Sequence, residues 1–158
     1  MKKFQVYIIC LLFCYGTSVI GALASVNAGE FYAKLTLPAW APPGWLFGPV
    51  WIALYTAMGI AAALVWLEKG FASSKKILIL FFLHLIPNAT WSWVFFSLKL
   101  GAASFANIVF LWLLILFLCY HFYKINKASF YLLIPYFLWV TFATALNFSI
   151  WQLNPNTL

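Results

Sequence analysis

The stretch WLFGPVWIALYTAMGIAAALVWL, residues 45–67, carries no charged side chain until Glu68-Lys69-Gly70 ends it. A helix rises about 1.5 Å per residue, so a run of this length crosses a hydrocarbon core of about 30 Å. Working outward by the same criterion, further spans fall at residues 4–26, 77–98, 103–123 and 129–152. Lipid offers the backbone no hydrogen-bonding partner, so each span must satisfy its own N–H and C=O groups as a helix. The predicted fold is all-α: an integral membrane bundle of five transmembrane helices, a single domain over residues 1–158. Only the first connection, residues 27–44, is long. With Pro38, Pro42, Pro43 and three aromatics it is predicted to fold as a structured cap.

Composition agrees. The chain is 66% hydrophobic and 7% charged, with mean hydropathy +1.01, where a soluble domain is about half apolar and about a quarter charged. A net charge of +7 would ordinarily suggest nucleic acid, but the lysines lie between the apolar runs and read as topology. Lys2, Lys3, Lys69, Lys75, Lys76, Lys124 and Lys127 fall on one side of a five-span arrangement, and only Lys34 and Lys99 on the other. The positive-inside rule then puts the N-terminus inside and the C-terminus and proline-rich loop outside. Met1-Lys2-Lys3 before an apolar run also resembles a signal peptide with Ala22-Leu23-Ala24 as its cleavage site. The run is longer than an ordinary signal core, however, and Thr17, Gly21 and Ser25 form a small-residue row suited to helix packing, so a retained first helix is the preferred reading. Cys10, Cys14 and Cys119 lie in apolar stretches without metal-ligand spacing and read as buried thiols; no metal site is expected.

The polar and aromatic residues collect in one part of the bundle. At 100° per residue His84, Asn88, Trp91 and Phe95 share one face of helix 3, beside a kink expected at Pro87. Helix 5 repeats the pattern with Pro135, Trp139, Ala143 and Asn147 in an i, i+4 row, the small Ala143 leaving room for a flat guest. Helix 2 contributes Phe47, Trp51, Tyr55 and Met58, helix 4 Asn107, and Tyr32, Pro42 and Pro43 belong to the cap. With the predicted topology most of these lie in the outer half, so an aromatic cavity is expected there, beneath the first loop. A plainer reading stands beside it: Asn88, Asn107 and Asn147 as interhelical hydrogen bonds of about 0.6 kcal/mol each, and His84 as a packing residue. Trp40, Trp45, Trp66 and Trp151 read as interfacial anchors.

The segment from Leu37 through Pro38, Trp40, Pro42, Pro43, Gly44, Trp45, Gly48, Pro49 and Trp51 to Tyr55 and Gly59 resembles the signature of the TspO/MBR family. Asn88 to Trp91 with Phe95-Phe96, and Pro135 to Asn147, agree with it in order and spacing. The resemblance implies a five-helix bundle, often a homodimer, that binds protoporphyrin IX and related tetrapyrroles as well as isoquinoline-type drugs under the first loop. Matching positions here are Trp51, Asn88, Trp91, Trp139 and Ala143. It further implies that Trp51 and Trp139 are the residues for light-dependent porphyrin degradation where that occurs. The sterol motif of animal members is broken, with Phe148 for Tyr and Gln152 for the base, so sterol binding by this route is not expected. With its short lysine-only loops the chain reads as a bacterial cell-membrane protein.

Three functions follow as expectations. The first is a porphyrin receptor or sensor requiring no cofactor, with the tetrapyrrole as ligand. The second is light-driven degradation of that ligand, since the spans hold no acid-base pair or nucleophile for conventional catalysis. The third is slow carriage of apolar ligands across the bilayer; ion coupling lacks the intramembrane ionisable residues it needs.

Overall fold

The computed structural model describes residues 2–158, and all its regular elements are helical. Helix α1 spans Lys3–Ala24, a short α2 spans Ala28–Lys34, α3 spans Phe47–Ser92, α4 spans Gly101–Ile125 and α5 spans Lys127–Leu153. A 3-10 turn, Gly44–Leu46, leads into α3, and a π-helical turn, Trp93–Ser97, closes it. Four of the helical runs are long and apolar enough to cross a membrane.

Helix α3 holds two of the expected spans. Its 46 residues would reach about 69 Å if straight, twice a hydrocarbon core. Gly70 breaks it with φ 75, a left-handed conformation open to glycine without a Cβ penalty. The two arms, residues 47–69 and 71–92, fold back on one another: the Ser74 hydroxyl donates to the Val65 carbonyl at 3.4 Å, and far from the turn Tyr55 donates to Asn88. The expected connection over residues 68–76 is therefore one residue wide, and the helix resumes at once through Lys75 and Lys76.

Packing follows seven-residue seams. In α1 the buried residues are Val6, Cys10, Cys14, Thr17, Gly21 and Ala24, which from Cys10 onward follow the 4-3 spacing that keeps one stripe facing a partner. This stripe lies against both arms of α3. A Cβ at Gly59 would come within 3.1 Å of the Leu11 backbone, and one at Gly21 would sit 3.5 Å from the Ser92 hydroxyl, so small residues set the approach of the helices. On the other side α3 packs against α4 and α5, which also pack on each other. In α5 the seam is Ser129, Leu133, Tyr136, Val140, Ala143, Asn147 and Ile150, and the same spacing carries it past the helix end to the buried Asn154. All three cysteines are free and buried in these contacts.

The cap comprises α2 and the chain from Leu35 to Leu46. Phe31 packs edge-on against Phe95 and Phe96, with the Lys99 ammonium 5.1 Å from its ring centre. Tyr32 packs on Phe47 and donates to the Pro42 carbonyl at 3.2 Å, holding the Pro42-Pro43 segment down. Two of the expected interfacial anchors also make contacts within the protein. Trp40 lies on Phe142 with ring centres 5.6 Å apart, as part of the cap, and Trp151 fills the space left by Gly101, where a Cβ would approach its ring to 2.3 Å.

Candidate functional site

Beneath the cap, Phe47, Trp51, Asn88, Trp91, Ile108, Leu111, Trp139, Val140 and Ala143 line one cleft. Five of the residues singled out from the sequence, Trp51, Asn88, Trp91, Trp139 and Ala143, thus share one wall system built from both arms of α3 and from α5. Its free volume is only about 10 Å³, room for about one water. The expected open cavity is closed, because the side chains that would wall it pack on one another. Phe47 meets Trp139 at 5.8 Å, Trp51 meets Tyr55 at 5.5 Å, and Trp91 stacks on Phe95 at 5.4 Å with the rings 17° from parallel.

Asn88 ties this wall to the polar residues behind it. Asn88 accepts from the Tyr55 hydroxyl and donates to the Tyr136 hydroxyl at 2.8 Å, bridging both arms of α3 to α5. Asn147 accepts from the Trp91 indole at 2.8 Å and donates to the Ser104 hydroxyl at 3.2 Å, which fixes the plane of that indole. Asn107 donates to the Pro87 carbonyl at 3.0 Å. His84 is fully buried, with Nδ1 paired to the Phe81 carbonyl and its ring edge-on to Tyr136; Nε2 has no partner among the described residues. Pro135 is exposed on the outer face of α5. Asn107 and Asn147 therefore spend their donors on interhelical contacts, and Tyr55 and His84 form the layer below the cleft. Of the cap residues, Tyr32 reaches the cleft through Phe47, and burial pushes its phenol above the ordinary range.

Sequence reasoning missed Tyr136 as a partner of this layer. Tyr136 is completely buried and completes the Asn88 bridge; its place one turn before Val140 on the α5 seam was the available signal. One polar atom of the cleft itself is unpaired: the Trp139 indole N–H is buried without an acceptor among the described residues. An indole N–H left so in apolar surroundings costs about 1–3 kcal/mol, and an acceptor on a guest would recover it.

A helical bundle with two spans hinged at Gly70, apolar outward faces and an aromatic cleft under a proline-rich cap defines a multi-pass membrane protein. The chain belongs to the TspO/MBR family, whose model matches residues 8–152. It is 36% identical to the tryptophan-rich protein TspO of Chlorobaculum tepidum over 98% of this chain and 99% of the relative. It is 38% identical to the protein of that name from Archaeoglobus fulgidus, over 87% and 94% respectively. The human translocator protein is 33% identical over 79% of this chain and 75% of its own length.

Proposed function

We propose that this protein is a membrane receptor for porphyrins of the protoporphyrin IX type, and for isoquinoline-type ligands, which it takes into the cleft under the cap. One observation carries the reading: three indoles, an asparagine and a small alanine from three helical segments converge on a single cleft whose walls are otherwise apolar. Flat aromatic ligands are held by offset and edge contacts with such rings, and Ala143 leaves the space against which a macrocycle would lie. The fit requires opening, since pockets for ligands of this size hold about 300–1,000 Å³. The residues to move are the rings that now fill the cleft, Phe47, Trp51 and Trp139, while Trp91 is held by Asn147.

The same reading takes the protein as a homodimer in a cell membrane with its N-terminus inside. Orientation is supported by the lysines, seven of which lie at the end of the bundle that holds Gly70 and the α4–α5 junction.

Titration of protoporphyrin IX into the protein in nanodiscs, in darkness, tests the binding. Saturable quenching of indole fluorescence is expected, reduced about tenfold in apparent affinity by Trp139→Phe or Trp51→Phe. Quenching that is non-saturable, or equal to that of empty nanodiscs, rejects the proposal. A second reading, light-dependent degradation, is favoured by the presence of both Trp51 and Trp139 on the cleft wall. Under illumination the Soret band should then decay faster than that of free porphyrin, and decay at the free rate removes this reading alone.

A further inference from the structure

We infer that Asn154 is a latch that holds the cap shut over the cleft, a positioning residue that sets how fast ligand enters and leaves. The inference rests on the binding reading above for its kinetic part, and on geometry alone for its structural part.

Asn154 lies just past the end of α5, yet is only 8% exposed. Its side-chain amide pairs with the backbone of Thr36 at both ends: the Thr36 N–H donates to Oδ1 at 2.9 Å, and Nδ2 donates to the Thr36 carbonyl at 2.9 Å. Nδ2 also donates to the Ile150 carbonyl at 2.8 Å, one of the last carbonyls of α5, which lack helical partners. The side chain therefore acts as a short strand edge, joining the cap to α5 across 118 residues of sequence. Asn154 is itself fixed, because Thr157 and Leu158 donate back to its carbonyl at 3.1 and 3.0 Å.

Thr36 sits between the two parts of the cap, after Leu35 at the end of α2 and before Pro38 to Pro43. Its own side chain is exposed, and among the described residues its amide N–H has no other partner. The bonds Asn154 makes are therefore the polar restraint on this point of the cap, beside the apolar packing of Leu35 and Leu37 on either side. On the far side of Asn154, α5 carries Asn147, Ala143 and Trp139, so the latch ties the lid to the helix that walls the cleft. The closed cleft of about 10 Å³ makes such a restraint consequential: no guest enters while the cap and its rings keep these positions. Aspartate at 154 could keep the acceptor but not the Nδ2 donor; alanine keeps neither.

The test compares wild type, Asn154→Asp and Asn154→Ala in nanodiscs. Hydrogen exchange at the Thr36 amide, read without ligand, should rise about tenfold in the alanine variant and less in the aspartate variant, with exchange unchanged in α4 and in α5 before its last turn. Stopped-flow porphyrin binding should show association and dissociation both faster by about tenfold in the alanine variant, with Kd moved less than threefold. Unchanged Thr36 exchange overturns the latch. Faster dissociation without faster association also overturns it, since that marks a lost ligand contact rather than a released lid. Should the alanine variant fail to fold, the aspartate variant carries both readouts. If wild type shows no saturable porphyrin binding, the binding reading falls and the kinetic gate with it, while the exchange result still decides the structural latch.

Discussion

Asn88 shows how much one side chain can organise inside a bundle. Its amide oxygen and nitrogen are both used, by Tyr55 and Tyr136, so removing it leaves two buried phenols unpaired. Asn88→Ala is expected to destabilise the protein by about 2 kcal/mol, measured as a lowered thermal midpoint in detergent, and to free the floor of the cleft. His84 invites the opposite expectation. Its Nε2 is buried without a partner, so His84→Leu gives up one bond to a helical carbonyl and relieves an unsatisfied nitrogen. A change in stability within about 1 kcal/mol is expected; loss of porphyrin binding with stability intact would instead make it part of the site. Tyr32 adds a pH dependence. Burial raises its phenol, and the protonated form donates to Pro42. A group whose folded pKa is raised gives its full stabilisation below its unfolded value of about 10 and loses it as pH rises through the folded one. Cap protection in hydrogen exchange should therefore be flat from about pH 6 to 9 and fall in more alkaline solution, and Tyr32→Phe should remove that fall.

At the level of the helices, the spans were readable because charge is so rare: residues 45–67 could be delimited by Glu68 and Lys69 alone. The seams were not. Lipid is as apolar as a protein core, so the outward faces, such as Leu12, Phe13, Leu113 and Leu138, carry the same residue types as the buried ones. Only polar and small residues betrayed direction, which is why Asn88, Trp91 and Ala143 were placed on the cleft and Tyr136 was overlooked. Asn107 and Asn147 were assigned to the cavity because their depth is right, but depth does not say which neighbour consumes the amide. The narrow Gly70 hinge was hidden as well, since its conformation follows from how the arms pack and not from the polar residues around it. Gly59 offers a direct test of the α1–α3 seam. A side chain there meets the Leu11 backbone, so Gly59→Leu should separate α1 from α3 and lower stability by about 3 kcal/mol or abolish folding, whereas Gly48→Ala, with open space around it, should be tolerated within about 1 kcal/mol.

For the whole molecule, the closed cleft turns the question of what binds into a question of how the guest arrives. Two routes are open to a ligand dissolved in the bilayer: through the cap, or sideways between helices. A lipid-facing groove of about 430 Å³ between α4 and α5, lined by Phe105, Val109, Trp112, Thr141, Thr144, Ala145 and Phe148, marks the side route. It shares no lining residue with the cleft, and Trp112 donates to Thr141 at 2.8 Å across it, while Asn147 and Ser104 pin the same two helices together nearby. Opening that seam breaks interhelical bonds in lipid, where no solvent replaces them. The cap, in contrast, lies at the end of the bundle, where water can take over the bonds that Asn154 and Tyr32 release. Entry through the cap is therefore the less costly route. Trp40 rests on Phe142 at 5.6 Å and is 49% exposed, so cysteines at these two positions can be joined by a short cleavable bifunctional reagent while the three buried native thiols stay protected. Joining them should slow porphyrin association at least tenfold, and cleaving the linker should restore it. Association at the unlinked rate in the joined protein would assign entry to the α4–α5 side instead, and would leave the cap as a wall rather than a door.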